Sequence, residues 1–187
     1  MFKKLFFTLV ICLFIKTNAQ DGTVSPYSYF GLGTFNPANT VENNAMGGLS
    51  IYGDSIHVNL QNPASYGLLK LTTYTVGASH RRMALTSDTQ EKSTALTAID
   101  YLSVAMPIAE NIGIGFGITP VTSMGYILNS SAENANGETI TNVFSGDGGL
   151  SKIYFSLGAA PIKNFTVGAS AFANFGTVNK ERVQSLS

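Results

Sequence analysis

Large apolar residues alternate with small ones in the stretch that follows Asn111. The order is Ile112, Gly113, Ile114, Gly115, Phe116, Gly117, Ile118 and Thr119. Because successive side chains of a strand point to opposite faces, this period of two predicts a strand with one apolar face and one nearly bare face. The apolar face is expected to continue through Thr122, Met124, Tyr126 and Leu128. A strand of about 17 residues is far longer than the 5 to 6 residues usual in soluble sheets. We therefore interpret residues 112–128 as a transmembrane β-strand.

The same period recurs in four other stretches, which predicts strands at 71–85, 94–106, 149–160 and 165–178. In the first of these we expect Tyr74, Val76 and Ala78 to face outward. Polar connections at 87–92 and 129–149 alternate with short turns, as in outer-membrane barrels, where tight turns lie on one side and long loops on the other. The second long connection contains a turn signal, Asn136-Gly137.

One charged residue interrupts the predicted pattern. Asp100 falls on the same face of the second strand as Leu96, Ala98, Leu102 and Val104. A carboxylate facing lipid at mid-plane is costly. Two alternatives remain open: Asp100 lies near a membrane interface, or a β-bulge reverses the face at this point.

Residues 20–69, here called the N-terminal segment, have a different character. Prolines 26, 37 and 63 interrupt them, asparagine is frequent, and alternation is weak. We expect a flexible bend at Gly47 and Gly48 and a short strand over 49–52. The segment has too little contiguous apolar surface for a core of its own, which predicts a plug packed inside or beneath a larger body.

The first 19 residues are typical of a cleaved secretory signal. Lys3 and Lys4 precede an apolar run that ends near Ile15, and Ala19 offers a small residue for cleavage. The run is shorter than the ~20 apolar residues that a membrane-spanning helix needs. Cys12, the single cysteine, lies within it; the bulky Ile11 argues against lipidation of this cysteine, and the mature chain is predicted to lack thiols.

Charge and composition narrow the class of protein further. Removal of the signal takes three lysines and no acid from 11 basic and 11 acidic residues, which leaves 8 against 11 and a net charge near −3. No basic cluster supports nucleic-acid binding. Charged residues make up 12% of the chain, about half the ~25% of soluble domains, which indicates that a medium other than water covers part of the surface.

Five strands are too few to close a barrel. Bacterial single-chain barrels use an even number of strands from about 8 upward, and an open edge in lipid leaves backbone amides unpaired. We therefore expect the 187 residues to be the N-terminal part of a longer protein, with residues 70–187 as the first strands of an incomplete antiparallel transmembrane β-barrel.

Enzymatic and metal chemistry find little support in the sequence. Gly53-Asp54-Ser55 is similar to the nucleophile block of Gly-Asp-Ser lipases, but no Asn-Asp pair is present and no separate Asp-x-x-His follows. His57 and His80 lack the nearby ligands that a metal site needs. We predict no enzyme activity, no metal and no cofactor.

Three motifs together resemble the outer-membrane long-chain fatty-acid transporter family. They are the Gly-Gly stretch 44–48, the Asn62-Pro63-Ala64 motif within 56–66, and the alternating stretch 112–120. The resemblance covers residues 25–178 and implies an N-terminal plug followed by a many-stranded barrel. It also implies that Asn62, Pro63 and Ala64, with the Gly-Gly stretch, help to gate passage of a hydrophobic molecule. The alternative for the Asn-Pro-Ala motif is a plain structural turn that joins plug and barrel.

The resulting hypothesis is a passive outer-membrane channel for long-chain fatty acids or other hydrophobic small molecules. Tyr27, Tyr29 and Phe30 are the candidate lumen contacts. Its expected surroundings are the outer-membrane lipid of a Gram-negative bacterium. Two alternatives remain: a non-transporting accessory barrel that docks a periplasmic or secreted protein partner, and a soluble secreted β-sandwich with an adhesive surface.

Overall fold

The protein forms one antiparallel sheet with an irregular segment packed on it. A computed structural model describes residues 25–86, 91–133 and 139–186. The long strands are β2 (Thr73–Thr86), β3 (Glu91–Ala109), β4 (Ile112–Glu133), β5 (Thr139–Ile162) and β6 (Phe165–Leu186), and they lie side by side in chain order. A short strand, β1 (Thr34–Phe35), pairs with β4 and brings the sheet to six strands.

All five predicted long strands are present, and most extend further than the sequence indicated. β4 has 22 residues and β5 has 24, so most of the connection expected at 129–149 is strand. Polar pairs across the strands explain the extension: Arg182 Nη2 donates to Asn142 Oδ1 at 2.9 Å, and the hydroxyls of Ser131 and Thr141 lie 3.2 Å apart. The Asn136-Gly137 signal lies outside the described residues.

The short turns are confirmed. β5 and β6 are joined by Lys163 and Asn164, and Asn164 has a left-handed backbone with φ of 65°. Asparagine tolerates this conformation better than most residues with a side chain. Glu110 and Asn111 make the corresponding turn between β3 and β4.

A β-bulge at Asp100 confirms one of the two alternatives for this residue. Gly77 of β2 pairs with Tyr101, but the next residue, Ala78, pairs with Ile99, so Asp100 is the extra residue. The bulge reverses the alternation, and Ile99 takes the apolar face with 70% of its surface exposed. Asp100 Oδ1 instead accepts a hydrogen bond from the Ser79 hydroxyl at 2.9 Å. Leu96 and Ala98 leave the predicted face together with Asp100.

A second bulge, at Val121, reverses the faces of β4 beyond it, so the outward apolar face predicted for that part of the strand is wrong. Pro120 pairs with Ser151 and Thr122 pairs with Leu150, so Val121 is extra. Beyond it, Met124 and Tyr126 are buried and do not continue the exposed apolar row. The reversal carries both side chains to the face on which the N-terminal segment lies.

The N-terminal segment contains little regular structure. Two 3-10 helices, Pro26–Tyr29 and Pro63–Leu68, flank β1 and a single turn of α-helix, α1 (Val41–Ala45). The strand expected at 49–52 is absent, and the chain there makes bends. The segment lies on one face of the sheet, here called the covered face, and its buried core consists of Val58, Tyr66 and Leu69 with Ala105 of β3.

The opposite, uncovered face carries exposed apolar side chains. The halves of β3 to β6 next to the short turns at 110–111 and 163–164 are here called the lower halves. Their exposed apolar residues include Leu102, Ile112, Phe116, Ile118, Ile153, Phe155, Leu157, Phe165, Val167 and Phe175. In β2, Tyr74 and Val76 are exposed as predicted. Among the described residues the sheet is all-β, antiparallel and open, with free edges at β2 and β6, and no described helix is long and apolar enough to cross a membrane.

Candidate functional site

The buried amide of Asn59 holds the chain that leads into the Asn-Pro-Ala motif. Its Oδ1 accepts hydrogen bonds from the backbone N–H groups of Gln61 and Asn62, both at 3.0 Å. Its Nδ2 donates to the carbonyl oxygens of Ser50 at 2.6 Å and Tyr52 at 3.0 Å. With only 3% of its surface exposed, this side chain ties the motif to the bend at 50–52. The sequence offered no signal for it beyond the general frequency of asparagine.

The motif itself begins the second 3-10 helix. Asn62 is extended, with φ of −114° and ψ of 97°, as expected before proline. Its Oδ1 accepts a hydrogen bond from the Ala64 N–H at 3.1 Å, and its carbonyl oxygen accepts one from the Ser65 hydroxyl at 2.8 Å. Asn62, Pro63 and Ala64 thus form a helix start that the Asn62 hydrogen bonds hold in place, which is the geometry of a structural turn. A gating movement of these residues stays a prediction.

Strand glycines form the floor on which this helix lies. The glycine floor consists of Gly113 and Gly115 of β4, Gly158 of β5 and Gly168 of β6. A Cβ atom on either β4 glycine would overlap Tyr66, and one on the other two would overlap the backbone of Pro63 or Ala64. The bare face predicted from the alternation therefore exists, and its function is close approach between the sheet and the N-terminal segment.

Tyr66 is the largest side chain fully buried at this contact. Burial, with the neighbouring phenol of Tyr154, raises the pKa of Tyr66 well above its ordinary value. Beside it, the Tyr154 hydroxyl and the Ser103 hydroxyl lie 2.6 Å apart. The buried phenol acts as packing against the glycine floor.

Gly47 and Gly48 form the turn after α1, both with left-handed backbones at φ of 77° and 82°. The Gly48 N–H donates to the Asn43 carbonyl oxygen at 2.7 Å. The turn reaches the Asn-Pro-Ala region only indirectly: Gly48 lies near Asn39, whose Oδ1 accepts a hydrogen bond from Gln61 Nε2 at 2.6 Å. The predicted bend is present, and its part in gating stays a prediction.

Tyr29 is the centre of an aromatic cluster on the covered face. Its ring meets Phe30, Tyr126 and Phe144 edge to face, with centroids 5.4, 5.3 and 6.3 Å away. The structure therefore brings two of the three predicted lumen contacts together, but Phe30 is 70% exposed and Tyr27 is 79% exposed. Contact of these side chains with a small molecule stays a prediction.

A lysine from the last strand anchors this cluster. Lys180 Nζ donates to the carbonyl oxygens of Tyr29 and Gly31, both at 3.1 Å, and lies 5.7 Å from the centroid of the Tyr29 ring. The contact joins residues 151 positions apart in the sequence. No local pattern could have predicted it.

β3 and β4 are paired along only part of their length. The two strands pair from Ala109 and Ile112 up to Leu102 and Ile118 and then separate, next to the bulges at Asp100 and Val121. A cleft of about 780 Å³ opens between the two halves. Its lining combines the apolar residues Leu96, Ala98, Ile99 and Pro120 with polar or charged ones, which include Ser79, Arg81, Asp100, Asn36, Thr122, Ser123, Asp147 and Asn179.

The start of the N-terminal segment occupies the lower end of the free β4 edge. We call residues 25–36 the strap. Thr34 and Phe35 pair with Ser123 and Thr122, and the Asn36 N–H donates to the Val121 carbonyl oxygen at 2.8 Å. Further up, the Ser28 hydroxyl accepts a hydrogen bond from the Gly125 N–H at 3.1 Å. The strap thus supplies partners for β4 where β3 has left it.

The candidate catalytic and metal residues form no centre. Asp54 binds the backbone N–H groups of Ile56 and His57 and the His57 ring, which is a polar turn. Burial acts to raise the pKa of Asp54, but these hydrogen bonds outweigh it and hold the pKa below its ordinary value. His80 pairs with the Thr97 hydroxyl on β3 at 2.8 Å. The described residues contain no cluster of three or more metal-ligating side chains.

The fold and the site define an all-β protein with an N-terminal segment fixed on one sheet face and a strand edge partly covered by the chain itself. A family model supplies the relationship: the BamG model matches residues 1–187, and the chain belongs to the BamG family, which is associated with the BAM complex of the outer membrane. The expected membership of the fatty-acid transporter family is therefore wrong. Its motifs, Gly-Gly, Asn-Pro-Ala and the alternating strand, reflect turns and close packing that are not specific to transporters. No curated protein and no solved structure matches the chain.

Proposed function

We propose that this protein is a non-transporting accessory barrel of the outer membrane that docks a protein partner from the BAM complex, the machinery that assembles outer-membrane β-barrels. The family match over the full chain carries the proposal. It favours the accessory alternative over a channel for fatty acids or other hydrophobic molecules. The bonded and tightly packed state of the Asn-Pro-Ala motif agrees with a structural role for the N-terminal segment.

The uncovered face supports a position in the membrane. Its lower band on β3 to β6 has no charged side chain among the described residues. Lys152 of β5 pairs with Thr119 and therefore lies on the covered face. The run from Phe165 to Phe175 rises ~34 Å along the strand and, at a tilt of ~40°, spans ~26 Å of the membrane normal, close to the ~25 Å apolar band of outer-membrane barrels. In this proposal the uncovered face meets lipid and the covered face holds the N-terminal segment.

Purification from native membranes tests the partner. The tagged full-length protein, solubilised in mild detergent, is expected to bring down BAM-complex subunits in fixed stoichiometry. A matched outer-membrane barrel of another family, with the same tag and expression level, is the control. Recovery of the tagged chain without BAM subunits would overturn the proposal.

A charge placed in the apolar band tests the membrane position separately. Phe155→Arg should cost ~2–4 kcal/mol if residue 155 lies near the bilayer mid-plane, and the folded, carbonate-resistant fraction should fall. Thr141→Arg, near the polar end of the same strand, is the matched control and should leave that fraction unchanged. Equal behaviour of the two variants would contradict burial of the band in lipid.

A further inference from the structure

Above the strap, the edge of β4 that faces the division from β3 has no strand partner among the described residues. From residue 126 to Glu133, β4 pairs with β5 on one side, and no described strand pairs with it on the other. β3 is in the same state between Glu91 and Tyr101, where it pairs only with β2. Within the described residues, two strand edges therefore face the division between β3 and β4 without a strand partner.

The orientation of the free β4 groups follows from one contact. The Gly125 N–H points toward the strap, because it donates to the Ser28 hydroxyl. The register with β5 has no irregularity beyond Thr122, so the N–H groups two and four residues on, at Ile127 and Asn129, point to the same side. Among the described residues no strand pairs with these donors, so they are oriented toward a further strand.

The composition of this edge is unusual for one exposed to water. Natural sheets protect long edges with lysines, prolines, bulges or inward-pointing charges. Residues 126–133 contain no proline and a single charged residue, Glu133 at the end. Ile127 is 75% exposed. The edge thus lacks the usual protection against strand addition.

The same edge already accepts an extended backbone. β1 adds to it through two ladder pairs, Thr34 with Ser123 and Phe35 with Thr122, and Ser28 of the strap covers the next free position, Gly125. A row of backbone donors and acceptors is satisfied by another backbone, and lipid chains cannot supply such partners.

We propose that residues 126–133 of β4 are a docking site for an extended segment of a BAM-complex protein, which adds as a strand to the edge that β1 begins to cover. This inference rests on the proposed function and names the surface by which the partner is held.

Site-specific photo-crosslinking in native cells tests the site. Benzoylphenylalanine is placed at Ile127 or at Asn129 of the full-length chain, two residues apart on the same strand. Each probe is expected to attach to one segment of a BAM-complex subunit, and the attachment point should move by two residues between the probes. Thr141, opposite Ser131 on β5 and paired on both sides, is the control position and should give no adduct with that segment.

Backbone blocking provides an independent readout. Asn129→Pro removes an N–H donor on the free edge and leaves the hydrogen bonds to β5 in place, since proline is tolerated where the N–H takes no part in a ladder. The Ile127 adduct and the co-purified subunit should both be lost. Asn129→Lys, which adds a charge to the edge, should act in the same direction without altering the backbone.

The outcomes separate the two proposals. If BAM subunits co-purify but neither probe attaches to them, or if both attach only to the strap or to a second copy of this chain, the docking site is wrong and the proposed function stands. If no BAM subunit co-purifies with the unmodified chain, both are wrong. Adducts whose position does not shift between the probes would also overturn strand addition.

Discussion

The ring of Tyr66 occupies the space that a side chain at Gly115 would need. One residue belongs to the N-terminal segment and the other lies near the start of β4, so the contact fixes the segment on the sheet. Because Tyr66 is 1% exposed, the ring has little freedom to move aside.

Gly115→Val should therefore destabilise the protein. Forcing extra carbon atoms into a packed contact typically costs ~1–3 kcal/mol, and the second 3-10 helix should lift from the sheet. A lower melting temperature and faster proteolysis within 50–69 are expected. Ala171→Val, on the uncovered face of β6, is the control. Equal melting temperatures for the two variants would argue against the glycine floor.

Asn59→Ala should weaken the same region by another route. The substitution leaves four backbone groups without their partner, and a buried unsatisfied polar group costs ~1–3 kcal/mol. We expect a fall in the free energy of unfolding and increased amide exchange at Gln61 and Asn62. Asn39→Ala removes a single hydrogen bond, the one from the Gln61 side chain, which is exposed to solvent. This control should have a smaller effect. The reverse order would contradict the role of Asn59.

Lys180→Met should release the strap without unfolding the sheet. The variant loses both hydrogen bonds to the strap carbonyls and the cation contact with Tyr29. Hydrogen exchange over 25–36 should rise while exchange in β5 stays unchanged. Arg182→Met is the matched control, because Arg182 contacts Asn142 and Phe144. Unaltered exchange of the strap in Lys180→Met would show that other contacts hold it.

The turn at Asp54 should open in acid. Hydrogen bonds hold the folded pKa of this carboxyl below its ordinary value of 3.8. Its stabilising contribution is therefore complete above pH 3.8 and is lost as the pH falls through the lower, folded pKa. The protection factors of the Ile56 and His57 amides, measured against their intrinsic exchange rates, should fall there, and Asp54→Ala should show low protection factors at every pH. Protection factors in the unmodified protein that do not change with pH would contradict this assignment.

The alternation of residues was sufficient to predict the long strands, the short turns and the bare strand face. It could not predict faces beyond a bulge. The bulge at Asp100 could be suspected from the sequence, because a charged residue interrupts an apolar row. Val121 gave no such signal, because an apolar residue fits either face, and the side of Met124 and Tyr126 was consequently predicted wrongly.

The site was less predictable than the sheet. Asn62, Pro63 and Ala64 could be placed at a turn because proline and asparagine act on their neighbours. The contacts of Lys180 with the strap join distant parts of the chain, and Asn59 acts through backbone groups that any residue could provide. The family resemblance was wrong for a related reason: Gly-Gly and Asn-Pro-Ala describe local geometry, which many unrelated functions share.

The glycine floor also sets an order of events during folding. It is assembled from β4, β5 and β6, so the surface that receives Pro63–Leu68 is complete only after the third of these strands has paired. The second 3-10 helix and the β6 part of its binding surface are about 100 residues apart in the sequence. Closing so long a loop is slow. Docking of this segment is therefore a late step, and its protection from protease reports that the sheet has been built through β6.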